Sequence, residues 1–139
     1  MSSGEFKKVP MLLTFCRDEG LIFHSAVYLL KQHLFNDIND NWEHVAPITF
    51  WYDEDPNLKY DKETIARKIK KFYFNNEPVS HSTFQNLTDV YTDAWFYRGI
   101  RDTALIMGKH TDVYLAVINH ESKTLSTSQL VGTPGVYGK

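Results

Sequence analysis

Arg17-Asp18-Glu19-Gly20 places two adjacent carboxylates in a short charged turn directly after the apolar run Val9-Pro10-Met11-Leu12-Leu13-Thr14-Phe15. A carboxylate at the carboxyl end of a buried strand is well placed for chemistry, because open α/β sheets gather their reactive groups in the crevice there. Glu19 occupies that position, with a solvated loop acid as the plainer alternative. Other groupings fit no chemistry. Counted as a calcium loop from Asp53, the Asp53-Glu54-Asp55 turn has Leu58 where glycine is needed, Thr64 where a bidentate glutamate is needed, and Pro56 inside it. The 6 histidines show neither the H-E-x-x-H pattern nor a Cys/His zinc spacing, so no metal is expected. Cys16 has no paired base nearby in sequence and reads as a small buried or turn residue. None of the serines, at 2, 3, 25, 80, 82, 122, 126 and 128, lies in a Gly-x-Ser-x-Gly elbow.

The elements around the acid follow from periodicity. The run 9–15 is continuous rather than alternating, which suits a strand covered on both faces, as in a parallel sheet flanked by helices. Gly20 can supply a positive φ at the turn, after which Leu21-Ile22-Phe23, Ala26-Val27 and Leu29-Leu30 give a helix-like apolar set. From Lys31 to Asp55 the pattern is broken by asparagines and rich in aromatic bulk. Asp61 is a plausible N-cap for a helix that carries Ile65, Ile69 and Phe72 on its apolar face, with Arg67, Lys68, Lys70 and Lys71 on the wet one. Asn75-Asn76-Glu77-Pro78 stops it. Ser82 is the next cap candidate, opening a periodic stretch through Trp95 to Met107, with a bend expected at Gly99. Val113–Asn119 is again continuous and β-branched, hence a second buried strand. If the two strands are neighbours in one parallel sheet, the helices between them form an oversized crossover.

Composition narrows the partners. The 139 residues are 42% hydrophobic and 14% aromatic, with 15 basic and 17 acidic side chains for a net charge of −2. That is globular material with little to offer a nucleic acid or an anionic membrane, and no apolar run reaches bilayer length. The stretch Val9–Phe15 behind Lys7-Lys8 contains a proline, is too short for a signal-peptide core, and has no cleavage site. Asn86-Leu87-Thr88 is a glycosylation sequon, meaningful only in a secreted chain.

Val9-Pro10, the strand, Asp18-Glu19-Gly20 and the apolar helix together resemble the acid-bearing segment of type-B carboxylesterases, the family of cholinesterases and juvenile hormone esterases. The similarity continues in order. It runs through Asn41-Trp42-Glu43-His44-Val45-Ala46-Pro47, Ile69-Lys70-Lys71-Phe72-Tyr73-Phe74 and Thr92-Asp93-Ala94-Trp95-Phe96. It ends with Val113 to His120 and Gly135-Val136-Tyr137-Gly138. Five or six fragments in the right order make a specific signal.

The resemblance implies an α/β class: a partial α/β-hydrolase whose mainly helical segment lies between two parallel strands of the central sheet. The strand and acid turn would be 9–20, a helical lid region 21–110, and the last strand and loop 113–139. It further implies a serine esterase that works through an acyl-enzyme, takes hydrophobic carboxylic esters and needs no cofactor. Glu19 carries over as the triad acid. Ile22 and Phe23 match positions that line the substrate gorge, and Trp95 and Phe96 match aromatic positions near the acyl pocket. The nucleophile, the oxyanion loop and the triad histidine are absent from these 139 residues, so the chain is expected to be an inactive part of a larger hydrolase. The other expectation is a degenerate, non-catalytic relative that binds apolar ligands or a partner chain through exposed sheet edges and aromatics.

Overall fold

The computed structural model describes residues 5–21, 27–28, 31 and 33–119. Strand β1, Met11–Cys16, leads through a single 3₁₀ turn, Glu19–Leu21, into the helical region. Helices α1 (His33–Asp40), α2 (Trp42–Thr49), α3 (Lys62–Phe74) and α4 (Phe84–Thr92) follow. A π-helical turn, Asp93–Tyr97, joins α4 to α5 (Arg98–Met107), and β2 (Val113–Ile118) ends the described chain. The two strands pair in parallel, from Met11 opposite Val113 to Cys16 opposite Ile118. The oversized helical crossover between neighbouring parallel strands is therefore present.

The core lies among the helices. Trp42 is its hinge: its ring packs against Phe50 and Phe74 at 5.9 and 5.6 Å, and its indole N–H donates to the Ala66 carbonyl at 2.7 Å. A buried indole needs that partner, since an unmade hydrogen bond in the interior costs about 1–3 kcal/mol. Phe50 meets Tyr91 of α4 edge-on at 5.4 Å, closing the cluster. Asp61 caps α3 as expected, its carboxylate accepting from the Thr64 amide at 2.7 Å.

Several expectations are corrected. Of the expected apolar face of α3, Ile65 and Ile69 pack against the core beside buried Ala66 and Phe74, but Phe72 falls outside it and is 80% exposed. Lys70 leaves the wet face: it is half-buried, donates to Asn39 Oδ1 and lies 4.7 Å from the Trp42 ring centroid. The N-cap of α4 is Thr83, not Ser82. Thr83 Oγ1 is engaged with the preceding turn, donating to the Pro78 carbonyl and accepting from the Ser80 amide. Gly99 does not bend the chain; it sits inside α5 with open space around its α-carbon, and the irregularity comes earlier, at the π turn. Asp53 and Asp55 are ion-paired with Lys62 at 2.7 Å and Arg98 at 3.5 Å.

The strands also depart from the expected double cover. Met11, Leu13 and Phe15 alternate half-buried with exposed Leu12, Thr14 and Cys16, and all of β2 after Val113 is exposed. Among the described residues one face has helical neighbours, through α5 and the Phe15–Tyr97 ring contact at 5.4 Å. Nothing among the described residues covers the other. Among them, no helix is long and apolar enough to cross a membrane.

Candidate functional site

Glu19 opens the 3₁₀ turn just beyond β1 and is half-buried. Its Oε1 accepts a hydrogen bond from the Cys16 amide at 2.8 Å, so the carboxylate folds back over the end of its own strand. Cys16 itself is exposed rather than buried. Its thiol is pushed up by what burial it has and then by the neighbouring Glu19 carboxylate, which keeps it protonated and a poor nucleophile.

The turn is anchored from below by α4. Gly20 is buried against that helix, and its N–H donates to Thr92 Oγ1 at 3.0 Å. A Cβ at this position would overlap the Thr88 carbonyl oxygen and lie 2.6 Å from Tyr91 Cβ. Gly20 is thus needed for close approach, and not for the positive φ expected of it, which it does not adopt. Thr88 and Thr92 can face this contact because each hydroxyl donates back into its own helix, to Phe84 O at 3.2 Å and Thr88 O at 2.8 Å. Asp18 is held by Gln85 of the same helix at 2.9 Å.

The acid turn also touches the π turn that carries Trp95 and Phe96. Both rings are half-buried. Trp95 donates its indole N–H to the Thr49 carbonyl at 2.7 Å and stacks on Trp51 with ring centroids 4.5 Å apart. These rings line a cleft of about 410 Å³ with Tyr28, Ile48 and Tyr91; Phe96 does not line it. Burial, and next to it Tyr28, holds the Tyr91 phenol well above its ordinary value, so the wall is neutral. Ile22 and Phe23 lie outside the described residues, as do His120 and the loop 135–138. A larger cleft, about 510 Å³, is lined by Phe15, Arg17, Tyr73 and Asp93 but not by Glu19. Its strongest polar pair is already satisfied, Tyr73 donating to Asp93 at 2.6 Å.

Trp51 is the residue here that sequence reasoning passed over. Its sequence signal is a run of three aromatics, Phe50-Trp51-Tyr52, before an acidic turn, which does not reveal that Trp51 adopts φ 56° and packs against a ring 44 positions on.

The two strand exits converge. Because β1 and β2 are parallel and in register, the chain leaves both at the same end of the sheet, where the Arg17 amide donates to Ile118 O at 3.1 Å. Arg17 Nη1 also reaches Asn119 Oδ1 at 3.5 Å. The turn that carries Glu19 thus begins beside Ile118 and Asn119.

Comparison with known proteins gives the family. The model of the carboxylesterase family matches residues 1–137. The chain is 30% identical over 107 residues to a carboxylic ester hydrolase of Bombus ignitus, covering 77% of this chain and 19% of that protein. It is 33% identical over 99 residues to esterase E4 of Myzus persicae, covering 69% of this chain and 17% of the relative. With esterase-5C of Drosophila miranda the identity is 28% over 132 residues, covering 89% and 24%. The chain therefore spans about a fifth of the length of the relatives it matches. The α/β-hydrolase fold that the family implies is compatible with the parallel strand pair and its helical crossover. The chain belongs to the carboxylesterase family.

Proposed function

We propose that this chain is part of a serine carboxylesterase and contributes Glu19 as the acid of its triad. The observation that carries the reading is the shared exit. Glu19 stands three residues past the end of β1, and the register brings Ile118 and Asn119 to the same edge. On this reading a histidine supplied after β2 is the partner of the acid. The carboxylate is steadied by the Cys16 amide, and a carboxylate has lone pairs enough to accept from an imidazole N–H as well. The acid then orients the ring and stabilises its protonated form while a serine attacks the ester carbonyl and the imidazole moves the proton to the leaving alcohol.

On this reading 9–20 is the acid strand and turn, 21–110 the helical lid region, and 113–139 the last strand and histidine loop of a larger hydrolase. Trp95 belongs to the wall that receives a hydrophobic ester, and water exclusion there favours the reaction. With no elbow serine in its sequence, the 139-residue chain does not turn over esters by itself. A second reading, a non-catalytic relative that binds apolar ligands or another chain, draws on the uncovered sheet face with Leu12, Tyr114 and Ile118 exposed.

Glu19→Gln, made in the longer gene product that holds this segment together with an elbow serine and a loop histidine, tests the first reading. The expected loss in kcat is about ten-thousand-fold with little change in KM. Near-full activity would refute the assignment. Absence of those two motifs from the flanking coding sequence would favour the second reading.

A further inference from the structure

Resting on the reading of Glu19 as triad acid and deepening it, we propose that Thr92 is a positioning residue for that acid: acting through Gly20, it fixes the direction in which the Glu19 carboxylate leaves the strand end, with Gln85 as a second, outer hold. Glu19 sits between two residues that α4 grips. Before it, Asp18 Oδ1 accepts from Gln85 Nε2 at 2.9 Å; after it, the Gly20 amide donates to Thr92 Oγ1 at 3.0 Å. Gln85 and Thr92 are separated by two helical turns and so lie on one face of α4. The Leu21 amide closes the turn by donating to the Asp18 carbonyl at 3.0 Å, and the Leu21 side chain is buried in the core. The backbone is thus pinned on both sides of Glu19, and its side chain is taken up by the Cys16 amide.

Of the two holds the inner one matters more. It is buried, whereas the bond between Asp18 and Gln85 is exposed and competes with water. A hydroxyl has one proton to give. Thr92 gives it to the Thr88 carbonyl at 2.8 Å, so it presents lone pairs to Gly20. Valine in its place keeps the shape and takes away the acceptor that draws the turn onto α4. A catalytic group displaced by about 1 Å can lose on the order of a hundredfold in rate, so a hydroxyl that never meets the substrate is able to govern kcat.

Cys16, the single cysteine of the chain, reports on the carboxylate, because burial and then the Glu19 charge hold its thiol up. The test is the rate of its alkylation by iodoacetamide, followed against pH in the 139-residue chain. Glu19→Gln removes the charge and should bring the midpoint of reactivity to lower pH. Thr92→Val should give part of that shift, Thr92→Ser should stay at the wild-type midpoint, and Thr92→Val added to Glu19→Gln should move it no further. A midpoint that Thr92→Val leaves in place, or moves equally with and without the Glu19 carboxylate, would overturn the proposal. If Thr92→Val does not fold, Gln85→Ala, which gives up an exposed bond, carries the same comparison: a smaller shift in the same direction is expected, and an unmoved midpoint overturns the proposal.

In the longer gene product, Thr92→Val should lower kcat about tenfold with KM unchanged and carry the acid limb of the kcat profile to lower pH, since an imidazole without its carboxylate neighbour gives up its proton more readily. Loss of activity in Glu19→Gln with full kcat in Thr92→Val would refute the positioning role alone. Full activity in Glu19→Gln would refute the triad reading, while the Cys16 titration still decides whether Thr92 directs the carboxylate.

Discussion

Gly20 and Thr92 are locked together across 72 positions of sequence: the Gly20 amide donates to Thr92 Oγ1 at 3.0 Å in a buried contact, and the glycine lies flush on the helix that carries the threonine. The acid turn is therefore positioned by α4 as much as by the strand it follows. Whatever Glu19 does, its reach is set one residue away by a position that tolerates no side chain.

The first prediction follows from that contact. In Gly20→Ala the new methyl would collide with the Thr88 carbonyl and crowd Tyr91 Cβ at 2.6 Å, backbone and packed ring rather than a yielding side-chain tip. Overpacking of this kind costs about 3 kcal/mol, more where backbone must move. Thr92→Val leaves the Gly20 amide buried without its acceptor, at about 1–3 kcal/mol, while Thr92→Ser should stay near wild type. Urea unfolding of the four proteins ranks them; a stable Gly20→Ala would mean the turn is not docked on α4.

Local signals were legible in the sequence, and long-range ones were not. Asp61 could be recognised as a cap because the donor it serves, Thr64, is three residues away. The strands could be recognised from their continuous apolar runs, since pairing depends on backbone and pattern. Gly20 could be singled out, but for the wrong reason: a close approach depends on Thr88, Tyr91 and Thr92, which no local pattern connects to it. The same holds for Phe72, which satisfies a helical period yet falls off the buried face of α3 because Ala66 and Phe74 meet the Trp42 ring cluster instead. At the candidate site, Glu19 was visible through strand, turn and order of motifs, whereas Trp51 was hidden because its place in the cleft comes from backbone handedness and a distant ring.

The sequon gives a second prediction. Asn86 sits in the first turn of α4 and donates its side-chain amide to the Tyr73 carbonyl at 2.6 Å, and Thr88 is 0% exposed. A glycan on Asn86 would sit on the nitrogen that donates to the Tyr73 carbonyl, on a helix whose Thr88 is buried. Asn86→Asp, which replaces the donor with an acceptor facing a carbonyl, should cost about 1–3 kcal/mol. If the chain is passed through a secretory pathway, the folded product should show no mobility shift on deglycosylation. A glycosylated product with native stability would contradict the burial of this helix face.

A third prediction concerns the uncovered sheet face. Leu12 and Tyr114 stand opposite each other across the strand pair and are 67% and 62% exposed, with Ile118 at 47% close by. An exposed flat apolar face on strands with free edges invites association. Leu12→Lys with Tyr114→Glu replaces this pair by opposite charges that suit cross-strand neighbours. The wild-type chain should self-associate in light scattering, and the double variant should lose most of that association while its unfolding free energy changes by less than about 1 kcal/mol. Association undiminished by it would locate the sticky surface elsewhere, with Phe72, at 80% exposure, the next residue to change.

The acid side of the stability profile should carry the signature of Asp61. Its carboxylate accepts from the Thr64 amide at 2.7 Å and the Thr64 hydroxyl at 2.8 Å, and these bonds, the amide first, hold it below the ordinary value of 3.8; Arg67 adds a smaller pull in the same direction. A carboxyl group whose folded value is depressed binds its proton more readily in the unfolded chain. Its contribution is complete above the unfolded value and disappears as pH falls through the folded one. Asp61→Asn retains an acceptor for the Thr64 amide but does not titrate. The variant should be less stable than wild type at neutral pH, and the gap should begin to narrow as pH falls through the ordinary value of 3.8 and go on narrowing below it. Moderate salt should leave most of the gap intact, because the hydrogen bonds to Thr64 outweigh the screened attraction of Arg67. A gap between the urea midpoints that persists at low pH would show that Asp61 stabilises α3 by something other than its charged cap.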